Sequence, residues 1–231
     1  MARDRKLLRP RDLAIIAAVI LILSPVLACT MHRMRMLSEQ QTCSDNLKRL
    51  GVACEMYQAD WDDVLVPYGA PFAWGYAGDH WPELLDVYIN RIPGGQMSGA
   101  NLPPEYQCPS RLDTVAWAYE RTYGMNTYCG GWDPGGTPRT KFVRDVRYPN
   151  ATIRIAESCF PQAGGSLIAP LPSHYNDANP MGHHFPEWHN GKGNVLWIDG
   201  HVSAMTRAQY NTGGSDNTWF DLARPKPQLP N

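Results

Sequence analysis

An uncharged run from Leu13 to Leu27, Leu-Ala-Ile-Ile-Ala-Ala-Val-Ile-Leu-Ile-Leu-Ser-Pro-Val-Leu, follows a strongly basic amino terminus. No other segment constrains the chain as much. Counted through Ala28 and Cys29, the run has the length of a short membrane span or of a generous signal-peptide core. Arg3, Arg5, Lys6, Arg9 and Arg11 precede it, and only Arg33 and Arg35 follow closely. The positive-inside bias keeps such an N-terminus in the cytoplasm and carries the rest of the chain across the membrane. A buried core helix would not need so one-sided a flank. The expected organisation is a basic cytoplasmic arm at 1–12, a transmembrane segment at 13–29, an extracytoplasmic domain at 30–206 and a Pro-containing, partly disordered tail at 207–231.

The remainder is long enough for one domain with a real core. A formal net charge of −1 and scattered basic residues after Arg35 leave no surface suited to nucleic acid. Twenty Gly and twenty Pro, beside eight Trp and eleven Tyr, point to a turn-rich domain rather than a helical bundle. Beyond the span lie Cys43, Cys54, Cys108, Cys129 and Cys159, which an oxidising compartment permits to pair. Cys43 and Cys54 are eleven residues apart, about 16 Å along one helix and too far to bridge each other. Cys108 with Cys129 is the expected disulfide. No C-x2-C pair exists, so a cysteine zinc site has little support from the spacing, and no cofactor is expected.

Cys43, Leu47, Leu50, Cys54 and Tyr57 fall on one stripe of a helix, with Ser44, Asp45, Lys48, Arg49 and Glu55 behind them. One long helix or two collinear ones are therefore expected from about Leu13 to about Ala59, kinked at Pro25, the first half in lipid and the second half laid on the domain. Asp60, Asp62 and Asp63 form a solvated helix end, since the calcium-loop register and its glycine are missing. Pro82 opens a short helix carrying Trp81, Leu84, Leu85, Tyr88 and Ile89. The Gly/Pro stretch from Pro93 to Pro104 is loop. Further on, 152–156 alternates as a strand, and 194–198 and 201–205 flank Asp199-Gly200 as a hairpin with both turn positions at positive φ.

Several of these segments together resemble a known family. The stretch from His189 to Asp199-Gly200 fits the H-x9-D-G element of pilin-like proteins of planctomycete-type bacteria, which are similar to the pseudopilins of type II secretion. Cys43-Ser44-Asp45-Asn46-Leu47-Lys48-Arg49-Leu50-Gly51 resembles that family's C-x-x-N-L-K-x-[IL]-G segment, with Tyr57 and Asp60 after it. Cys108-Pro109 matches its Cys-Pro pair, and 122–126 and 149–157 follow in order. The resemblance runs from Leu13 to about Met205. It implies an α+β, pilin-like fold, with a long N-terminal helix packed on a small antiparallel β-sheet. It also implies a non-catalytic structural role in a type II secretion or type IV pilus-like envelope system, with membrane lipid and other pilin-like subunits as partners. The setting would be the inner membrane, crossed once, with the C-terminal domain periplasmic. One departure stands out: no glycine occurs before Gly51, so the prepilin cleavage site is missing, although Asp12 can stand in for the family's acid. Unprocessed, the basic arm stays attached. Subunits would then meet through Ala14, Ala17 and Ala18, the small residues of the span.

Three other readings compete. Val26-Leu27-Ala28-Cys29 resembles a lipobox, which would make Cys29 an acylated anchor. Exposed aromatic faces in Gly/Pro loops, Trp132 and Trp188, would suit a carbohydrate-binding module, whereas Trp81, Trp117 and Trp197 read as core. His174, His183, His184, His189 and His201, with Asp177, Glu187 and Asp199, are numerous enough for a zinc-dependent hydrolase. Their spacing fits no zinc motif, however, and His189 is read instead as pinning the loop before the hairpin, with Asp199 as a turn residue. Ser158-Cys159 lacks a glycine elbow, and the Gly-Gly pairs lack a phosphate-loop lysine. No catalytic residue is expected.

Overall fold

A single α-helix, α1 (Pro10–Asp60), runs from the basic arm into the domain. The computed structural model describes residues 10–67, 81–89, 103–110, 122–126, 129, 131–132, 138–157, 167–168 and 187–211. The chain divides into two compact units, one ending at Ser38 and one beginning at Glu39. In the first, the large apolar side chains stand in the open: Ile15, Leu23, Leu27, Met34 and Leu37 are exposed, and Leu21 is 73% exposed. A helix that offers apolar groups on every side has no core to bury them in. This one is long and apolar enough to cross a membrane. Pro25 lies inside it and leaves the Leu21 carbonyl without its helical donor, yet the helix is continuous there. The Thr30 hydroxyl donates to the Leu27 carbonyl at 2.8 Å one turn on.

In the second unit, the same helix turns amphipathic. Cys43, Leu47, Leu50, Cys54 and Tyr57 are all buried, as the spacing predicts, while Lys48, Arg49 and Glu55 face out. Gly51 lets the helix approach closely, since a Cβ there would lie 3.1 Å from Leu196 Cδ1. The helix ends at Asp60, and the 61 amide still reaches the Tyr57 carbonyl. Asp62 and Asp63 then take φ of 52° and 62°, left-handed positions that Asp tolerates better than most residues.

The sheet explains what the stripe packs on. Strands β1 (Tyr123–Asn126), β4 (Ile153–Glu157), β6 (Gly193–Trp197) and β7 (Val202–Met205) are neighbours in that order and all antiparallel. Two-residue β5 (Leu167–Ile168) adds to the β1 edge in parallel, and β2 (Gly131–Trp132) pairs apart with β3 (Pro138–Arg139). The architecture is therefore α+β, a long N-terminal helix with a small antiparallel sheet. Met125, Ile155 and Leu196 join Leu47, Leu50 and Cys54 in one core on the helix side. Ile153, Ala156, Val195, Trp197 and Met205 form a second core on the other face. Ile153 and Ile155 would share a face in a regular strand, but the register shifts between them, and the bulge sends them to opposite sides. Helix α2 (Trp81–Ile89) buries Trp81 and Leu85 in the first core, with Leu84, Tyr88 and Ile89 beside them, and the Tyr106 hydroxyl donates to the Pro82 carbonyl at 3.1 Å.

Three expectations change. The disulfide is Cys43–Cys108, with a Cα–Cα distance of 5.1 Å, and not Cys108–Cys129. Cys129 is a free, buried thiol in a separate apolar cluster with Leu65, Val146 and Ile198, so proximity along the chain misleads here. The β6–β7 connection is also longer than a two-residue turn. The Trp197 amide donates to the His201 carbonyl at 3.0 Å, and the Gly200 amide to the Trp197 carbonyl at 3.1 Å, which makes Ile198, Asp199 and Gly200 a three-residue loop. Only Gly200 has positive φ, 88°; Ile198 leaves the strand because its side chain is buried with Cys129. Finally, the fold passes Thr206: helix α3 (Arg207–Asn211) buries Tyr210 in the second core. The expected loop of 93–102, and residues beyond 211, lie outside the described residues.

Candidate functional site

Side chains from four separate segments, Cys43, Cys108, Glu157 and His189, converge on one buried point. Asn190 and Gly191 take φ of 54° and 80°, both positive, as a type I′ turn demands and Asn-Gly supplies. The His189 amide donates to the Lys192 carbonyl at 2.9 Å and the Lys192 amide to the His189 carbonyl at 3.3 Å, closing a tight two-residue turn. That turn fixes His189 immediately ahead of β6, and its ring is buried. The H-x9-D-G element is thus a turn, a strand and a second turn in succession.

His189 Nε2 lies 2.8 Å from Glu157 Oε1, at the end of β4, and 3.4 Å from Cys108 Sγ. Its Nδ1 lies 3.3 Å from Ser110 Oγ, which donates to Glu39 Oε2 at 3.1 Å. Glu157 is held twice more: the Asn194 amide donates to Oε2 at 2.9 Å, and Asn194 Nδ2 donates to Oε1 at 2.9 Å. Three donors on one buried carboxylate are what satisfaction of its oxygens requires. On the other side, Asn46 Nδ2 donates to the carbonyls of Pro104 and Gln107, both at 3.0 Å, and so clamps the segment that delivers Cys108 to Cys43. Arg49 and Glu105 pair at 3.1 Å further out. The Tyr123 hydroxyl donates to the Cys43 carbonyl at 3.3 Å. Burial, and then the charge of Glu157, hold that phenol well above its ordinary range. Donor-type atoms of Cys43, Cys108, Glu157 and His189 all lie within 4.8 Å of one another.

Of the residues singled out in the sequence, Cys43, Asn46, Cys108 and His189 meet here. Leu47 belongs to the core, Pro109 is exposed, and Asp199 and Gly200 stand at the far end of β6. Asp199 is not in a left-handed conformation; its Oδ1 accepts from the His201 amide at 3.2 Å and lies 2.6 Å from His201 Nδ1. His189 and His201 are therefore separated by the whole strand and form no common cluster. His174, His183, His184, Asp177, Trp117, Ser158 and Cys159 lie outside the described residues. Trp81 and Trp197 are core, Trp188 is partly buried against it, and Cys29 is an exposed free thiol within α1. The sequence reasoning missed the roles of Ser110, Glu157 and Asn194. The signal for His189 was present, because Asn190-Gly191 is the strongest type I′ dipeptide in the chain.

Fold and site together define an α+β protein with, among the described residues, one helix of membrane-spanning length and a buried Cys-Cys-His-Glu fastening beneath the second half of that helix. No family model, curated protein or solved structure matches the chain.

Proposed function

We propose that this chain is a membrane-anchored, pseudopilin-like structural subunit of a type II secretion or type IV pilus-like envelope system. One observation carries the reading. An unbroken helix, Pro10–Asp60, bares its apolar side chains before residue 38 and buries a regular stripe after it. That division of labour suits a subunit that anchors in lipid, and associates there, through one half of a helix while the other half frames its domain. Exposed apolar groups on all sides are stable in hydrocarbon and unstable in water. The basic arm supports a cytoplasmic N-terminus through the positive-inside bias. The Cys43–Cys108 disulfide favours an oxidising compartment for the domain, which supports a periplasmic location on a single-pass inner-membrane protein. A buried network fastened by a disulfide suits a structural role better than turnover, since a substrate finds none of its four central side chains at the surface.

Cysteines placed singly at Ala14, Ala17 and Ala18 test the association directly. Subunits that pack through this face give disulfide-linked dimers in membranes, with efficiency varying at helical periodicity. Uniformly monomeric protein at all positions, including neighbouring Ile15 and Ile16, overturns the proposal. Mass spectrometry of the membrane-extracted N-terminus checks the anchor: an intact basic arm is expected, and a chain beginning at an acylated Cys29 establishes the lipoprotein instead.

A further inference from the structure

We propose that Cys43 and Cys108, in their thiol form, join His189 and Glu157 as a buried site for a zinc-class divalent cation. The disulfide and the metal are then alternative fastenings of the same point in the fold. This inference does not depend on the pilin-like reading.

The donor set comes first. Two sulfurs, one imidazole nitrogen and one carboxylate oxygen are the ligands that zinc takes in four-coordinate sites. They arrive from four separate places: helix α1, the segment after Tyr106, the end of β4 and the turn before β6. Zinc bonds of about 2.0–2.3 Å at tetrahedral angles put neighbouring ligand atoms about 3.3–3.8 Å apart. Cys108 Sγ and His189 Nε2, at 3.4 Å, already have that spacing. His189 Nε2 and Glu157 Oε1, at 2.8 Å, must open by about half an ångström. The two sulfurs must part once their bond is cut. These are side-chain adjustments around Cα atoms that are already 5.1 Å apart.

The outer contacts argue further. Metal-bound histidines usually donate their second nitrogen to an oxygen that fixes the ring. Here Nδ1 faces Ser110 Oγ, itself tied to Glu39. In the metal-bound form the proton that Nε2 gives to the Glu157 contact in the oxidised chain is absent and the ring carries its proton on Nδ1, so that the lone pair of Nε2 takes the cation. Glu157 is oriented through Oε2 by the Asn194 amide, which leaves Oε1 turned toward the sulfurs and the imidazole. The Cys108 amide donates to Thr122 Oγ1, and Asn46 clamps the preceding residues. A disulfide alone would need none of this polar apparatus around it.

The exchange balances as follows. A dithiol reductant passes two electrons and two protons to the Cys43–Cys108 bond and closes to its own disulfide. Zinc then forms two Zn–S bonds and releases the two thiol protons. In reverse, a disulfide-class oxidant takes the two electrons and, with two protons from solvent, opens to its dithiol, while the sulfurs rejoin and the cation leaves. Because the site is buried, uptake is coupled to folding.

The full chain in detergent micelles, reduced with a water-soluble phosphine and then freed of it, provides the test. Titrated with zinc, the reduced protein is expected to bind one tight equivalent, and the oxidised protein none at this site. Cobalt(II) in place of zinc is expected to give thiolate-to-metal charge-transfer absorption and the intense visible bands of a tetrahedral ion. His189→Ala and Glu157→Ala should each weaken binding at least about tenfold and change the cobalt spectrum. The joint Cys43→Ser/Cys108→Ser variant should abolish both signals. Reduced protein that keeps its circular dichroism yet takes up no zinc overturns the proposal. So does uptake that neither the His189 nor the Glu157 substitution alters, because the metal is then on other thiols. If reduction unfolds the chain, recovery of structure on adding zinc supports the site, and failure to recover refutes it.

Discussion

Removing Glu157 is the sharpest perturbation of the buried network. The residue is 1% exposed and accepts from His189 Nε2 at 2.8 Å and from two nitrogens of Asn194, both at 2.9 Å. Alanine leaves three buried donors without an acceptor. Each unsatisfied group costs roughly 1–3 kcal/mol, so a loss of about 3–6 kcal/mol is expected after some rearrangement. Against a typical domain stability of about 5–15 kcal/mol, that is a large fraction. Glutamine keeps one carbonyl oxygen but turns an amide toward a donor, and should lose about 1.5–3 kcal/mol, the worth of a hydrogen bond to a charged group. Urea unfolding of the full chain in micelles, followed through the fluorescence of buried Trp81 and Trp197, reads both changes. The slope should stay constant while the midpoint falls in the order wild type, Glu157→Gln, Glu157→Ala. If Glu157→Ala unfolds within about 1 kcal/mol of wild type, the carboxylate does not organise the network, and the reasoning from buried satisfaction fails.

Burial raises the Cys129 thiol from 9.0 to about 12 and the Tyr57 phenol from 10.0 to about 12. Both groups stay protonated in the fold at pH values where the unfolded chain releases the proton. Stability is therefore full below pH 9 and declines as pH rises toward 12; Cys129→Ala and Tyr57→Phe should each flatten part of that decline in unfolding titrations. Gly200→Ala should lower stability by about 1–2 kcal/mol, because φ is 88°. Its Cβ would also meet Glu55 Oε1 at 2.7 Å, but that carboxylate is exposed and free to move, so adding Glu55→Ala should restore little. Full rescue would show that crowding, not backbone conformation, was decisive. Arg154 is 2% exposed, and the group that its buried guanidinium acts on is the Cys54 thiol, by charge and by a side-chain hydrogen bond. Arg154→Met should be neutral or stabilise the fold by up to about 4 kcal/mol in the same titration. A loss of stability would refute that expectation and show that the contact with the Cys54 thiol outweighs the cost of burying the charge.

Features set by neighbours along the chain could be read before any coordinates. The apolar run and its basic flank, the stripe from Cys43 to Tyr57, the short helix after Trp81 and the strands on either side of Gly200 all arise from periodicity and turn chemistry within about a dozen residues. Asn190-Gly191 belongs to the same class, since its two positive φ angles follow from the dipeptide itself. What stayed hidden was every pairing across long separations. Cys108 joins a residue 65 positions away instead of Cys129. Glu157 meets His189 and Asn194 only because β4 and β6 are neighbours and the β4 bulge sets which side each residue faces. Ile198 leaves its strand because a small core beside Cys129 takes its side chain. Local periodicity decides which face of an element is apolar, but it carries no information about which face it will meet. That choice is made when burial and hydrogen-bond satisfaction are settled for the whole domain at once, and here it gathered positions 43, 108, 157 and 189 into a single buried cluster.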